Sequence, residues 1–329
     1  MMERIQLVEP NSKHMFVVKE SEEGQRLDLY LSNQFPSYSR SYFGGLIGHN
    51  RVKLNEKTVC KKGTPLRPND KILVTFPKLK KDPAIIKEGV EKLNIQLVHE
   101  NPHFLILNKP HNLLVHAPHP QSTAITMVDW LIAKFEEIKH VGYGDKPGIV
   151  HRLDKNTTGL LIVTRNNCSH AYFSYLFKER KIKKRYLAIV KGHPEKEGEI
   201  NLDLARHPTI RNKMTHVTSG NIPQIRGRIR QSKTIYKVRE YFDNCSLVEV
   251  YPVTGRTHQI RVHFSAIGHP LIGDPVYGEK SKIIDRQALH ANKLEFVFED
   301  ETYQFEQNIP DDFQDALCHL QKNKTEIFS

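Results

Sequence analysis

Apolar positions recur at two spacings along the chain, and the change of spacing divides it. From Gln25 to Phe35 the residues Leu27, Leu31 and Phe35 form one helical stripe, and Pro36 stops the run. Ser39 is placed to cap a second helix that reaches Ile47. The pattern then shortens to strand-like runs at 52–54, 57–60 and 71–76, with Asn55-Glu56 suited to a tight turn between the first two. Two helices followed by small strands predict a compact α+β unit over 16–76. Residues 77–92 are charged, include Pro83 and show no periodicity, so they read as a linker.

A larger domain is predicted over 93–329. Strand-like runs fall at 95–99, 104–108, 160–164, 185–190, 234–241, 246–253, 294–298 and 303–305. Helical spacing falls at 127–135, at 167–180 with Tyr172, Tyr175 and Leu176 among its apolar members, and from about Asp311. A further helix over 257–267 is closed by Gly268 and Pro270. Strands dominate and helices interrupt them irregularly. The fold class is therefore α+β, with a mixed, largely antiparallel sheet in the larger domain.

A length of 329 residues suits about two domains. Charge narrows the partner: 49 Lys and Arg against 37 Asp and Glu give a net +12, a field that favours a polyanion. No apolar run approaches the roughly 20 residues that span a bilayer, and the start has no secretory pattern, so no membrane partner is expected. Nucleic acid leads. More than half of the surplus charge lies between Phe16 and Lys81, where 13 Lys and Arg face 6 acids. Cys60, Cys168, Cys245 and Cys318 are far apart, which predicts free thiols in a reduced, cytoplasmic chain. No zinc-binding or glycine-rich phosphate motif occurs, so neither a metal nor a cofactor is expected.

Two segments stand out. Gly148-Ile149-Val150-His151-Arg152-Leu153-Asp154-Lys155-Asn156-Thr157-Thr158-Gly159 sets a carboxylate beside an arginine in a glycine-bounded loop ahead of an apolar strand. By itself that fits a loop ion pair as well as a reactive carboxylate. Thr254-Gly255-Arg256-Thr257-His258-Gln259-Ile260-Arg261-Val262-His263 opens a helix on which Ile260, Phe264 and Ile267 share an apolar face. His258, Arg261 and Ser265 share a polar face, which can point into a cleft or into water. Two basic stretches flank these segments. Residues 178–185 hold six Lys or Arg and one acid; residues 204–239 hold nine and no acid, with Arg226, Arg228 and Arg230 alternating. The second reads as a loop-like, mobile arm able to clamp RNA.

The stretch from His151 to Gly159, the run from Gly255 to His263 and the following Gly268 to Gly278 resemble the RluA family of pseudouridine synthases. So do Asn108-Lys109-Pro110 and Lys184-Arg185-Tyr186-Leu187-Ala188-Ile189-Val190. Thr158 stands where serine is commonest. Arg26-Leu27-Asp28, Ser39-Arg40-Ser41, Leu46-Ile47 and Val52-Lys53-Leu54-Asn55 resemble the S4 RNA-binding domain, with departures at His49-Asn50 and Asn69-Asp70, where glycine is usual. The S4-like front and the run 285–291 bring the likeness closest to members acting on large-subunit (23S) ribosomal RNA.

The resemblance implies a cofactor-free isomerase, monomeric, that converts uridine in structured RNA to pseudouridine. It places Asp154 at the ribose carbon, Arg261 as its ion-pair partner and Tyr186 beside the uracil. Arg152 would fill the gap left by the extruded base. His151, Arg256, His258 and Gln259 fall within its motifs as further substrate contacts. Arg40, Arg51 and Lys53 would meet RNA from the S4-like unit. Two other classes compete: an RNA-binding protein without catalysis, which needs none of Asp154, Arg261 and Tyr186, and a nucleoside hydrolase, which needs no basic arm.

Overall fold

The computed structural model describes residues 12–35, 38, 40–76, 83–118, 122–142, 146–210, 213–220, 222–225 and 227–326. Its first unit contains β1 (Lys13–Val17), α1 (Leu27–Gln34), α2 (Arg40–Gly48), β2 (Val52–Leu54), β3 (Lys57–Thr58) and β4 (Lys71–Thr75). The four strands form an antiparallel sheet in the order β1-β4-β2-β3. Leu27 and Leu31 are fully buried against Phe43, Ile47, Val52, Ile72 and Val74, and Phe35 packs on the same core. Ser39, placed as a cap by the sequence, lies outside the described residues.

The turns explain the two departures from the S4 pattern. Asn50 (φ 58°) and Asn69 (φ 68°) adopt the left-handed conformation for which glycine is usual, and asparagine is the side chain that tolerates it best. Asn55 and Glu56 also have positive φ, the hairpin geometry that joins β2 to β3.

The stretch 77–92, read as a linker, contains α3 (Pro83–Glu91). Pro83, a breaker by composition, occupies the first helical position, where its missing N–H is no loss.

The larger sheet is built from β5 (Gln96–Glu100), β6 (Phe104–Lys109), β7 (Thr158–Thr164), β8 (Lys183–Lys191) and β9 (Glu197–Asn201). A hairpin follows, β10 (Leu204–Arg206) with β11 (Met214–His216), and then the sheet resumes with β12 (Lys233–Tyr241), β13 (Cys245–Pro252), β14 (Leu289–Phe298) and β15 (Glu301–Glu306). The order is β5-β6-β7-β14-β8-β13-β12-β9, with β15 also on β14; only β7 and β14 run parallel. The helices are α4 (Met127–Lys134), α5 (Asn167–Lys178), α6 (Gln259–Ala266) and α7 (Asp311–Glu326). Among the described residues, no helix is long and apolar enough to cross a membrane.

β7 is buried at every position, which is why it reads as an unbroken apolar run. Leu161 and Val163 face the core under Met127, Trp130 and Leu131 of α4, while Leu160 and Ile162 face Phe173 and Leu176 of α5. The stripe read on α5 is therefore shifted. Leu176 is buried with Phe173 and Ser169, whereas Tyr172 and Tyr175 lie on the outer side. The basic stretch 204–239 is also more ordered than its reading as a loop: it contains the β10–β11 hairpin and the start of β12. Arg228 and Arg230 are exposed there, and Arg226 lies outside the described residues.

Candidate active site

The loop before β7 and the segment at the start of α6 meet across a cleft of about 590 Å³. Gly159 lets the first approach. It has φ +116°, and a Cβ there would stand 2.2 Å from the carbonyl oxygen of Ala291 on β14. The Asp154 loop is then held through its backbone carbonyls. The Lys109 ammonium, fully buried at the end of β6, donates to the carbonyls of Lys155 (3.1 Å), Leu113 (2.9 Å) and Pro110 (2.8 Å). Burial, with some help from nearby Arg286, pulls Lys109 down to about 7, against the attraction of Asp154. Arg286 donates to the Asn156 carbonyl at 3.2 Å and is itself held by both carboxylate oxygens of Asp312.

α6 answers the question its polar face left open. It is buried on every side from Gln259 to Phe264, so the face carrying Arg261 looks into protein and cleft, not into bulk water. The helix closes with Gly268 N–H on the Ser265 carbonyl and His269 N–H on the Phe264 carbonyl, a left-handed termination with Gly268 at φ +85°.

Arg261 bridges two carboxylates. Its Nη1 donates to Asp154 Oδ2 at 3.1 Å, and its Nε and Nη2 donate to the two oxygens of Asp274 at 2.7 and 2.8 Å. Asp274 is completely enclosed, and its Oδ1 also accepts from the amides of Val276 and Tyr277. Burial would raise the Asp274 carboxyl, but the guanidinium and those amides outweigh it and hold it below the ordinary carboxylate range. The same two partners hold Arg261 charged against its own burial. Asp154, by contrast, keeps 17% of its side chain exposed, toward the cleft. The guanidinium also lies 5.0 Å from the ring centre of Tyr277.

His258, in a left-handed conformation (φ 56°) just ahead of α6, points its Nε2 at Asp154 Oδ2, 3.9 Å away. Its Nδ1 is 2.8 Å from the Tyr277 hydroxyl, which also accepts the Met214 amide of β11. Burial, and then Arg261, lower the His258 pKa against the pull of Asp154, which favours a neutral ring. Tyr186 lines the same cleft from β8; burial, reinforced by the Asp154 charge, raises its hydroxyl pKa and keeps the phenol protonated.

The remaining sequence-predicted residues divide. Arg152 is exposed on the cleft wall and donates to His116 Nε2 at 2.9 Å. Arg256 lines the cleft with its Nε on the Gln231 carbonyl. His151 and Gln259 also border the cleft, while their polar atoms hold the scaffold. His151 accepts the Ile162 amide, stacks on Phe177 at 4.5 Å and is driven by burial to about 3. The Gln259 amide joins Thr254 and Arg256 to Lys233 and Thr234. Arg40, Arg51 and Lys53 belong to the first unit and do not line the cleft; Arg40 is bound to the buried Asp28 at 2.9 Å.

Sequence reasoning assigned no role to Asp274, Tyr277, Lys109 or Arg286. All four sit in runs quoted for the family resemblance, so the signal was present. What was missing was the spatial link that joins them to Asp154.

This geometry sets a carboxylate, pinned by an arginine and flanked by a protonated phenol, on the wall of a basic cleft. It can stabilise positive charge at a sugar carbon or attack it. Residues 103–266 match the RNA pseudouridylate synthase family, and residues 25–72 match the S4 domain. A ribosomal large subunit pseudouridine synthase D of Zymomonas mobilis is 34% identical over 306 residues, 88% of this chain and 92% of that one. An RNA pseudouridine synthase of Aquifex aeolicus is 35% identical over 270 residues, 81% of each chain. The solved structure of human RNA pseudouridylate synthase domain containing 1 aligns with a TM-score of 0.54 at 29% identity, covering 66% of this chain and 84% of its own. With the family's sheet, its motifs and an S4 unit all in one polypeptide, the chain belongs to the RNA pseudouridine synthases.

Proposed function

We propose that this enzyme isomerises uridines of large-subunit (23S) ribosomal RNA, with Asp154 acting at the ribose C1′ of a uridine turned out of its stack. The observation that carries the reading is the Asp154–Arg261–Asp274 arrangement. One carboxylate is enclosed and fixes the arginine, and the arginine fixes the other carboxylate, which alone faces the cleft.

The reaction breaks the C1′–N1 bond, turns the uracil and joins C1′ to C5. The proton on C5 is lost and N1 gains one, so atoms balance without a redox step. As the bond breaks, C1′ becomes positive. The Asp154 oxygen left free by Arg261 opposes that charge across a short distance in a cleft from which the bound base excludes water. Arg261 holds the carboxylate oriented, and its planar fork, shared between two acids, sets the direction. Tyr186 offers a ring to the uracil and a hydroxyl that stays protonated until a base forms beside it. Arg152, exposed at the rim, has the flat guanidinium needed to replace the extruded base in the stack.

Large-subunit RNA as the substrate rests on the S4 unit and on relatives named ribosomal large subunit pseudouridine synthase D. Mapping pseudouridines in total RNA from cells with and without the protein tests it. Sites in large-subunit RNA should vanish, return with the wild-type chain and stay absent with Asp154→Asn. Loss confined to transfer RNA would refute the substrate; restoration by Asp154→Asn would refute the role of Asp154.

A further inference from the structure

The cleft does not end at Tyr186. A groove of about 370 Å³ continues beyond it, and Arg180, Ile182, Lys184, Pro252 and Val253 line both spaces. Six charged side chains border the groove, and half of them are neutralised within the protein. Lys183 and Glu295 pair with each other at 2.6 Å. Arg185 is bound to Glu249 at 3.0 Å, to Glu306, and to the Asn292 amide oxygen. Among the described residues, Arg180, Lys184 and Lys293 have no carboxylate within ion-pair distance.

Two of these three are held in unfavourable placements. Lys184 is half-buried on β8, two residues from Tyr186 and so on the same side of the strand. Its ammonium lies 6.0 Å from the Phe177 ring centre, and burial lowers it to about 8. A half-buried cation without a counterion is poorly solvated until an anion arrives. Arg180 sits at φ 58° just past α5, where the Lys181 amide returns to the Leu176 carbonyl. Glycine is the usual residue at such a position, and an arginine there carries backbone strain. Both unfavourable placements aim a cation at one wall shared by the two spaces.

We propose that Lys184 and Arg180, which line both spaces, form a subsite for the phosphate of the nucleotide adjoining the target uridine, whose sugar and base lie in the groove against Tyr251 and Pro252. The subsite rests on the reading of the cleft as the uridine site. The groove opens from that cleft, its unpaired charge is positive, and the Tyr251 hydroxyl is anchored on Glu249 at 2.8 Å, which leaves the ring fixed as a wall. A neighbour held here would orient the chain on one side of the extruded nucleotide, so that C1′ meets Asp154 in a single direction.

The test is equilibrium binding of a single-stranded uridine pentanucleotide to the 329-residue chain in an Asp154→Asn background, across a salt series. Binding does not require Asp154 to be the reactive group, so failure of the subsite is separable from failure of the proposed mechanism. Lys184→Met should weaken binding about tenfold and flatten the plot of log K against log salt by about 0.7, the value of one phosphate contact on a single strand. Lys184→Arg should restore most of both. Lys322→Met, which removes an exposed charge from α7, should change neither. A neutral methylphosphonate placed at each linkage in turn should cost the parent protein about tenfold at one linkage and Lys184→Met nothing further there. Arg180→Gly should raise the melting temperature by about 2 °C while weakening binding, a combination that a purely structural arginine does not give. Unchanged affinity and salt slope in Lys184→Met overturn the subsite. So does a loss that no single linkage reproduces, or no measurable binding by the parent protein.

Discussion

The two carboxylates on Arg261 are chemically alike, and the same substitution at each should have opposite consequences. Asp154→Asn is mild for the fold. Asp154 accepts one hydrogen bond from Arg261, at 3.1 Å, and its side chain opens on the cleft. An asparagine can turn its oxygen to Nη1 and its NH2 to water, at a stability cost below about 1 kcal/mol. Asp274→Asn has no such choice. One oxygen of Asp274 receives Nη2 and the amides of Val276 and Tyr277, and the other receives Nε. Every neighbour is a donor. Whichever way the amide turns, its NH2 confronts an N–H, and Arg261 loses its enclosed counterion. Breaking a buried pair from one side costs about 3–5 kcal/mol.

Urea unfolding at neutral pH separates the outcomes. With a slope of about 3 kcal/mol per molar urea, Asp274→Asn should lower the midpoint by about 1 M or more, and Asp154→Asn should barely move it. The pH dependence supplies a second sign. The Asp274 carboxyl is held below its ordinary value, so its contribution is present above the unfolded pKa near 3.9 and is lost as pH falls through the folded one. The gap between wild type and Asp274→Asn should therefore close in acid. Single-turnover rates complete the pair: Asp154→Asn folded and inactive, Asp274→Asn active only so far as Arg261 stays in place. Equal midpoints for the two variants would refute the claim that one carboxylate is scaffold and the other is free for chemistry.

Arg261→Lys replaces a fork that reaches two acids with a single ammonium, and should lose most of the rate together with about 2–3 kcal/mol of stability, read by single-turnover assay and urea midpoint. Lys109→Met strips the donor from the Pro110, Leu113 and Lys155 carbonyls, and should cost about 2–4 kcal/mol with a fall in kcat larger than any rise in KM. His151, His263 and His290 are each driven by burial to about 3, 4 and 4, so the folded state resists protons that the unfolded chain accepts below about 6.5. Stability should therefore fall as pH drops from about 6.5 toward 4, and His263→Gln should remove up to about 1.4 kcal/mol per pH unit from that slope in unfolding measured between pH 5 and 6.

What the sequence revealed of the fold followed the strength of each local signal. β7 was legible because burial on both faces leaves no polar residue in its interior, and α6 because Gly268 and Pro270 mark its end. β1, β9, β10 and β11 were not anticipated. They are three to five residues long and mostly edge or hairpin strands, whose half-exposed positions carry little alternation. α3 was hidden by a proline read without its position. On α5, tyrosine was counted as apolar at 172 and 175, where a half-exposed ring satisfies its hydroxyl at the surface, while Phe173 took the core.

The site divides along a different line. Residues that face the cleft, such as Asp154, Arg152 and Arg256, have side chains whose chemistry can be named from the sequence. Residues that hold them share the same motifs but act through contacts between motifs, 46 positions apart for Lys109 and Lys155 and farther for others. Arg261 reaches back 107 positions to Asp154, and Arg286 reaches back 130 to Asn156. No spacing rule covers such distances. The motif also conceals a split of labour between neighbours: His151 supports β7 while Arg152 beside it is exposed, and Gln259 knits α6 to β12 while His258 beside it looks at Asp154. Alternate residues of a loop or helix start point in opposite directions, so a run of conspicuous polar residues naturally contains both a wall and what the wall supports. The left-handed residues, by contrast, give a signal readable only from the backbone. Asn50 and Asn69 follow local preference and serve turns, Glu56 and Glu299 break it in the turns after β2 and β14, and Arg180 and His258 take the same conformation beside the cleft.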